Sequence, residues 1–254
     1  MGNKVFKPKI SIVLGTYNRL LMLQKCIDSI RHNNITIPYE MIVIDGGSTD
    51  GTVEWLIKQE DIITIVQHNK TKTGDKKVNK FSWGYFMNIA FNAAHAEYIC
   101  MISDDCYVYP GTIMAGYEAL KTAPGNVGAV AFRFRNLPIE EEYDARRTIY
   151  DTLFVNHGIY KKSVFNRLGG FEEDLYEFYK ADGDYCLRMK EKGYRTIVAQ
   201  ETKVDHYLTD DEIRKENIES NQMAKDRQAY LRRWRKTLRT RWFRLWRAGF
   251  KGDE

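Results

Sequence analysis

The sequence of 254 residues contains no apolar run near the ~20 residues that a helix needs to cross a bilayer. Residues 1–9 lack the apolar stretch of a signal peptide, and Phe6 stands where a myristoylation signal requires Ser or Thr. The four cysteines are scattered and form no CxxC pair, which argues against a zinc site or a disulfide framework. We therefore expect a soluble, cytoplasmic chain with reduced cysteines.

No internal repeat and no low-complexity linker interrupts the sequence, so we expect one continuous domain followed by a tail. The distribution of charge distinguishes the two parts. From Lys225 to Glu254 there are eleven Lys or Arg residues against three acidic ones, whereas the preceding part is slightly acidic. A strongly basic tail on a mildly acidic body predicts an anionic partner.

Short β-branched runs alternate with amphipathic segments along the first half of the chain. The runs typical of buried parallel strands are 10–14, 41–45, 62–67 and 98–102. The helices that apolar spacing predicts between them span 20–30, 48–58 and 83–94. Further along, strands are predicted over 127–135 and 195–200 and a helix over 182–192. This order predicts an α/β fold with a mostly parallel, doubly wound sheet.

In such a sheet, ligands bind at the carboxyl ends of the strands. Three predicted strands end in polar segments rich in Gly or Asp, at 15–19, 45–52 and 103–106. We therefore expect a nucleotide-binding crevice at this edge. The adjacent Asp104 and Asp105 allow two interpretations, because aspartate is common in turns and is also a ligand of divalent metals.

Five segments decide between these interpretations when they are taken together. They are SIVLGTYNR (11–19), VIDGGSTDGT (43–52), NIAFNAAHAEYI (88–99), LGGFEED (168–174) and ADGDYCLRMKEKGY (181–194). In this order they resemble family 2 glycosyltransferases with the GT-A fold. The resemblance extends over residues 9 to about 206. It implies a GT-A domain over 1–208 and a helical, basic, amphipathic tail over 209–254.

The resemblance also implies roles in binding a nucleotide-sugar donor. Asp45 would accept a hydrogen bond from the N3–H of uracil or thymine, which favours a UDP- or dTDP-type donor. The other residues expected at the donor are Thr16, Tyr17 and Asn18 around the base, Asp104 towards the ribose, and Arg19 and Asn88.

The Asp104–Asp105 pair corresponds to the metal motif of the family. The resemblance implies that Asp105 binds a divalent cation, Mn²⁺ or Mg²⁺, with His206 at the metal or the diphosphate. Ser103 stands where many members have a first Asp, and the spore-coat polysaccharide type has a similar Thr-Asp-Asp form.

Asp182 aligns with the catalytic base of the family, and Ala181 replaces the usual Glu of that motif. A carboxylate at this position would take the proton of the attacking acceptor hydroxyl with inversion at the sugar. Alternatively, Asp182 caps the helix that follows. We expect an inverting, metal-dependent glycosyltransferase. A retaining transferase, a sugar-nucleotide nucleotidyltransferase and a non-catalytic binding module are the alternatives, although GTYNRLL is not the Gly-rich phosphate loop of a nucleotidyltransferase.

The tail carries an amphipathic pattern over residues 227–250. Its apolar stripe consists of Leu231, Trp234, Leu238, Trp242, Leu245 and Trp246. Such a stripe either docks on the catalytic domain or, with the arginines beside it, lies on an anionic membrane surface. We expect the membrane, and therefore a peripheral location, together with a glycan, lipid-linked or protein acceptor. Nucleic acid is not expected as a partner.

Overall fold

The computed structural model describes residues 6–73, 76–79, 81–208 and 212–247, and within these ranges it leaves out the side chains of 70–79, 212–213 and 236–247. The end of the predicted amphipathic segment, 248–250, therefore lies outside the described residues.

A mixed eight-stranded sheet forms the centre of the molecule. Its order is β3-β2-β1-β6-β11-β8-β12-β7. The strands of this sheet are β1 (Ile10–Thr16), β2 (Tyr39–Asp45), β3 (Ile62–Val66), β6 (Tyr98–Met101), β7 (Cys106–Val108), β8 (Val127–Leu137), β11 (Gly158–Lys161) and β12 (Arg195–Tyr207). Two small antiparallel pairs lie outside it, β4 (Lys70–Thr73) with β5 (Lys76–Asn79) and β9 (Arg147–Thr148) with β10 (Thr152–Leu153).

The four strands predicted first are confirmed, and so is their direction. β1 pairs in parallel with β2 and with β6, and β2 pairs in parallel with β3. Their carboxyl ends therefore meet at one edge. In the other half of the sheet, β8 and β12 are parallel, but β11 runs antiparallel to both of its neighbours and β7 runs antiparallel to β12.

Helices cover both faces of this sheet. They are α1 (Leu20–Arg31), α2 (Thr52–Leu56), α3 (Trp83–Ala93), α4 (Thr112–Thr122), α5 (Lys162–Leu168), α6 (Ala181–Glu191), α7 (Glu212–Glu219) and α8 (Gln222–Arg247). One core holds Leu23 and Ile27 of α1 with Ile113 and Leu120 of α4. The other core holds apolar residues of α3, α5, α6 and α8. Among the described residues, no helix is both long enough and apolar enough to cross a bilayer.

The first half of α8 packs into the domain. Tyr230 and Trp234 are 2% and 3% exposed in the core that they share with α6. The Trp234 indole donates a hydrogen bond to Asp184 over 3.0 Å. Trp234 was expected on a lipid-facing stripe, and its burial means that it cannot contact lipid. Burial of this tryptophan stabilises the docking of α8, because a large apolar area is removed from water.

Candidate active site

The loop after β2 is organised by Asp45, which has no exposed surface. Its carboxylate accepts hydrogen bonds from the backbone N–H groups of Gly47 and Ser48, both at 2.7 Å, and from the Ser48 hydroxyl at 2.6 Å. Gly47 has a φ of 87°, which allows the chain to turn back over the carboxylate. In this structure Asp45 holds its own loop, so its contact with a nucleobase stays a prediction.

The loop after β1 is tied to the loop after β2. The Asn18 backbone N–H donates to the Ser48 hydroxyl over 2.8 Å, and the Asn18 side chain accepts from the Thr49 N–H over 2.8 Å. Tyr17 lies against the backbone of Gly46, where a side chain would come within 3.1 Å of the tyrosine ring. The structure therefore brings Tyr17 and Asn18 together with the Asp45 loop, as the prediction of a shared base pocket requires.

The end of β1 reaches the aspartate pair that follows β6. The Thr16 hydroxyl donates to Asp104 over 2.7 Å. Arg19 bridges the pair through one guanidinium nitrogen, at 2.9 Å from Asp104 and 3.2 Å from Asp105. Both carboxylates are buried. Parallel pairing of β1 with β6 produces this cluster, because it aligns the ends of the two strands.

Asp105 has two further basic neighbours. His206 Nε2 lies 3.2 Å from its Oδ1, and the Arg214 guanidinium lies 3.2 Å from its Oδ2. Burial disfavours charge on both members of the pair, and it raises the pKa of Asp104 above its ordinary value. At Asp105, His206, Arg19 and Arg214 outweigh burial and lower the pKa. Negative charge therefore resides preferentially on Asp105.

His206 was expected just after the last strand, and it lies instead within β12. Its strand position pairs with Cys106 on one side and with Asn136 on the other. β12 extends beyond its predicted end because its pairing resumes after an irregularity between Ala199 and Val204. The pairing with Cys106 places His206 beside Asp105, the residue before Cys106.

Asn136 determines which nitrogen of His206 carries hydrogen. The Asn136 amide nitrogen donates to Glu140 over 3.1 Å, so its oxygen must be the atom 2.7 Å from His206 Nδ1. An amide oxygen only accepts, and Nδ1 must therefore donate. Nε2 then faces Asp105: with a proton it donates to that carboxylate, and without one it offers a lone pair there. Metal-binding histidines commonly have such a partner on the other nitrogen.

These residues fit a divalent cation in part. Within the part of the chain that the structure describes, no three His, Cys, Asp or Glu side chains form a metal site by themselves. Asp105 and His206 offer one carboxylate oxygen and one imidazole nitrogen at the same point. A cation there would need further oxygen ligands from a bound nucleotide diphosphate, as Mg²⁺ commonly takes them from substrate phosphates.

Asn88 occupies a different environment from the aspartate pair. Its amide donates to the Phe171 carbonyl over 2.9 Å and to Glu173 over 2.6 Å, and its oxygen accepts from the Phe171 N–H over 2.8 Å. At 7% exposure, Asn88 holds the loop after α5 against α3. A direct contact between Asn88 and the donor stays a prediction, while its loop contacts give it a structural role.

Asp182 lies in the first turn of α6, whose N-cap position is Lys180. It is not the N-cap residue, although its carboxylate still satisfies one backbone N–H of the first turn. Its Oδ1 accepts the Gly183 N–H over 2.7 Å, and burial raises its pKa. Burial raises the pKa of Tyr179, just before α6, and the positive charges of Arg214 and Arg19, which also contact Asp105, oppose that rise.

Sequence reasoning missed Arg214 and Asn136. Arg214 is 109 residues from Asp105 along the chain and belongs to no motif, so only the folded structure brings it to the site. Asn136 directly follows the strand predicted over 127–135, and its role depends on the pairing of β8 with β12.

A sequence model described as glycosyl transferase family 2 matches residues 11–186. Among curated proteins, the chain is similar to the uncharacterized glycosyltransferase YwdF of Bacillus subtilis, with 26% identity over 74% of this chain and 69% of that protein. It is 30% identical to the GalNAc(5)-diNAcBac-PP-undecaprenol beta-1,3-glucosyltransferase of Campylobacter jejuni, over 74% of this chain and 56% of the relative. It covers only 17% of the poly(ribitol-phosphate) beta-glucosyltransferase of Bacillus spizizenii, at 31% identity over 44% of this chain.

Solved structures of glycosyltransferases have the same fold. TarS from S. aureus in complex with UDP-GlcNAc superposes with a TM-score of 0.63 at 15% identity, over 80% of this chain and 60% of TarS. The mannosyltransferase PcManGT from Pyrobaculum calidifontis, in complex with GDP-Man and Mn²⁺, superposes with a TM-score of 0.61 at 18% identity, over 89% and 65% of the two chains. The predicted GT-A fold is thus confirmed, and since the family model covers well over half of the sequence, the chain belongs to glycosyl transferase family 2.

Proposed function

We propose that the chain transfers a sugar from a UDP- or dTDP-type donor to an acceptor hydroxyl with inversion. In this reaction the acceptor oxygen forms a bond to the anomeric carbon as the bond from that carbon to the diphosphate breaks. The hydroxyl proton passes to Asp182, and the nucleoside diphosphate leaves. Membership of family 2 favours this class over a nucleotidyltransferase or a binding module.

The observation that carries the proposal is the convergence of Asp105 and His206 at the carboxyl ends of the parallel strands. These two residues would hold the divalent cation, which would neutralise the charge that develops on the departing diphosphate. Thr16 and Arg19 fix Asp104 beside them. The Mn²⁺ in the mannosyltransferase structure gives separate support, as a property of that protein.

Arg19 and Arg214 complete the proposed diphosphate site. Each contacts Asp105, so the two guanidiniums offset the charges of the two aspartates. A divalent cation would then leave the site with a net positive charge that suits a diphosphate. Guanidinium groups also match phosphate oxygens in geometry.

Asp182 has the properties of a general base for the acceptor. It is partly exposed, and one of its oxygens is held by the Gly183 N–H. Burial raises its pKa, which makes its carboxylate a stronger proton acceptor than that of an ordinary aspartate.

The proposed acceptor is a glycan, a lipid-linked saccharide or a protein. The chain would glycosylate it at the cytoplasmic surface of a membrane. The Campylobacter jejuni relative is named for an undecaprenol-linked substrate, which makes lipid-linked acceptors the first to test. Within the segment 227–250, the basic residues after Arg235 would hold the chain at anionic lipids, each contributing about 1 kcal/mol.

A donor screen tests this function. The full chain is incubated with UDP-, dTDP- and GDP-sugars in Mn²⁺ or Mg²⁺, and the release of nucleoside diphosphate is measured with and without lipid-linked acceptors. We expect release from UDP- or dTDP-sugars and an inverted anomer by NMR. Release from GDP-sugars alone would contradict the donor assignment, and release of pyrophosphate from a nucleoside triphosphate with a sugar phosphate would indicate a nucleotidyltransferase.

A further inference from the structure

The loop that leads into α6 is held by a carboxylate of the C-terminal helix. Asp226 of α8 accepts hydrogen bonds from three consecutive backbone N–H groups, those of Glu177 at 3.1 Å, Phe178 at 2.9 Å and Tyr179 at 2.8 Å. Gln222, one turn earlier on α8, donates to the same carboxylate over 2.8 Å. Asp226 is 3% exposed. A buried carboxylate with these partners is ordered by charge-assisted hydrogen bonds.

The same helix also contacts the chain just after Asp182. Asp184 is fully buried, and its Oδ1 receives the Trp234 indole N–H at 3.0 Å and lies 3.1 Å from Arg233 Nε. Arg188 donates to the other oxygen over 2.8 Å. These contacts fix the first turn of α6 against α8, since every oxygen of Asp184 is engaged.

Asp182 therefore lies between two attachments to α8. Residues 177–179 precede it and are bound by Asp226, and Asp184 follows it and is bound by Trp234 and Arg233. On its opposite side, the loop is attached to α3 through the Trp83 N–H, which donates to the Glu177 carbonyl over 2.8 Å. Lys180 has a φ of 80°, an unusual conformation that such surrounding contacts maintain.

We propose that Asp226 is a positioning residue for catalysis, which sets the place of Asp182 relative to the acceptor by holding residues 177–179. This inference rests on the proposed function, in which Asp182 is the base. The proposed donor residues lie on the loops after β1, β2 and β6, with His206 on β12 and Arg214 on α7, and none of the hydrogen bonds of Asp226 given above reaches them. Loss of Asp226 should therefore affect turnover and leave donor binding intact.

The test compares full-length Asp226→Ala, Asp226→Asn, Asp182→Asn and Lys225→Ala. Lys225 is the exposed neighbour of Asp226 on α8, so its variant controls for changes to the helix. Turnover is measured as hydrolysis of the preferred UDP-sugar in Mn²⁺, UDP affinity by calorimetry, and folding by thermal denaturation. In Asp226→Asn the amide oxygen can still accept two of the three N–H groups, so this variant tests partial rescue.

We expect Asp226→Ala to lower kcat by about 10- to 100-fold, the scale for a misplaced reacting group, with UDP affinity within about twofold of wild type. Asp226→Asn should be intermediate and Lys225→Ala normal. Unchanged kcat in Asp226→Ala, or a loss of UDP affinity parallel to the loss of kcat, overturns the inference. If Asp226→Ala does not fold, normal kcat in Asp226→Asn overturns it.

The Asp182→Asn variant distinguishes a failure of Asp182 as the base from a failure of Asp226 as its positioning residue. If Asp182→Asn is inactive while Asp226→Ala turns over normally, the proposed base stands and only the positioning role fails. If Asp182→Asn turns over normally, the proposed base is wrong, and the inference that depends on it fails too.

Discussion

The Nε2 atom of His206 lies 3.2 Å from Oδ1 of Asp105, because His206 on β12 pairs with Cys106, the first residue of β7, which directly follows Asp105. Asn136 holds hydrogen on the opposite nitrogen of the imidazole, so Nε2 faces the carboxylate and offers a lone pair there when it carries no proton. This arrangement can bind a cation between the two residues, and it leads to the first prediction.

His206→Ala and Asp105→Asn should each weaken the binding of UDP in Mn²⁺ by about tenfold or more, because each removes a metal ligand or the charge that holds the metal. Binding of uridine without metal should be unchanged, and chelation should abolish transfer. Calorimetry with and without Mn²⁺ measures both effects. His32→Ala is the matched control, because the His32 side chain is 75% exposed. Equal losses with and without metal would show that these residues act on the fold instead.

Asp182→Asn should lower kcat about a hundredfold or more while UDP affinity stays the same, since an amide cannot accept the acceptor proton. The wild-type rate should also fall at low pH. Burial raises the pKa of Asp182 above the ordinary value of aspartate, and only the ionised form is a base. Activity is therefore present above this raised pKa and is lost as the pH falls through it. A pH profile of kcat measures this loss of activity at low pH. The same loss in the residual activity of Asp182→Asn would assign it to another group.

Asp45→Asn should weaken the binding of metal-free uridine. It should also lower the free energy of unfolding by about 1–3 kcal/mol, because the buried amide N–H of asparagine would face the N–H and O–H groups that donate to Asp45. Ser48→Ala removes one loop contact of the same carboxylate and serves as the comparison. If Asp45 reads the base, uridine affinity falls further in Asp45→Asn than in Ser48→Ala, as titration calorimetry can measure. Equal effects would restrict Asp45 to holding the loop.

The tail should divide into two functional parts near Arg235. Trp234→Ala should lower the free energy of unfolding by about 3–5 kcal/mol, because Trp234 is 3% exposed in the core. Truncation after Arg235 should preserve folding and UDP binding but abolish sedimentation with anionic liposomes at low salt. Truncation after Met223 should destabilise the domain, because it also removes Tyr230 and Asp226. Liposome binding that survives truncation after Arg235 would contradict the membrane proposal.

Local patterns in the sequence were sufficient to predict the first strands and the helices between them. Apolar periodicity and β-branched runs depend on neighbours in the chain, and the structure confirms both β1 and β2, although β1 continues to Thr16, two residues beyond its predicted end. The prediction that polar strand ends share one edge also needed only the rule that strands in a βαβ unit are parallel. The Thr16–Asp104 hydrogen bond follows from that rule.

The tertiary structure decided the contacts between segments that are remote in sequence. Arg214 reaches Asp105 across 109 residues, and Asp226 binds the Phe178 N–H across 48. No periodicity encodes such contacts, because they depend on how α7 and α8 pack against the rest of the domain. The amphipathic pattern of the tail allowed docking as well as the expected membrane binding, since both bury the same apolar stripe. Only the core between α6 and α8, with space for Trp234 beside Asp184, determined that the first half of this helix belongs to the domain.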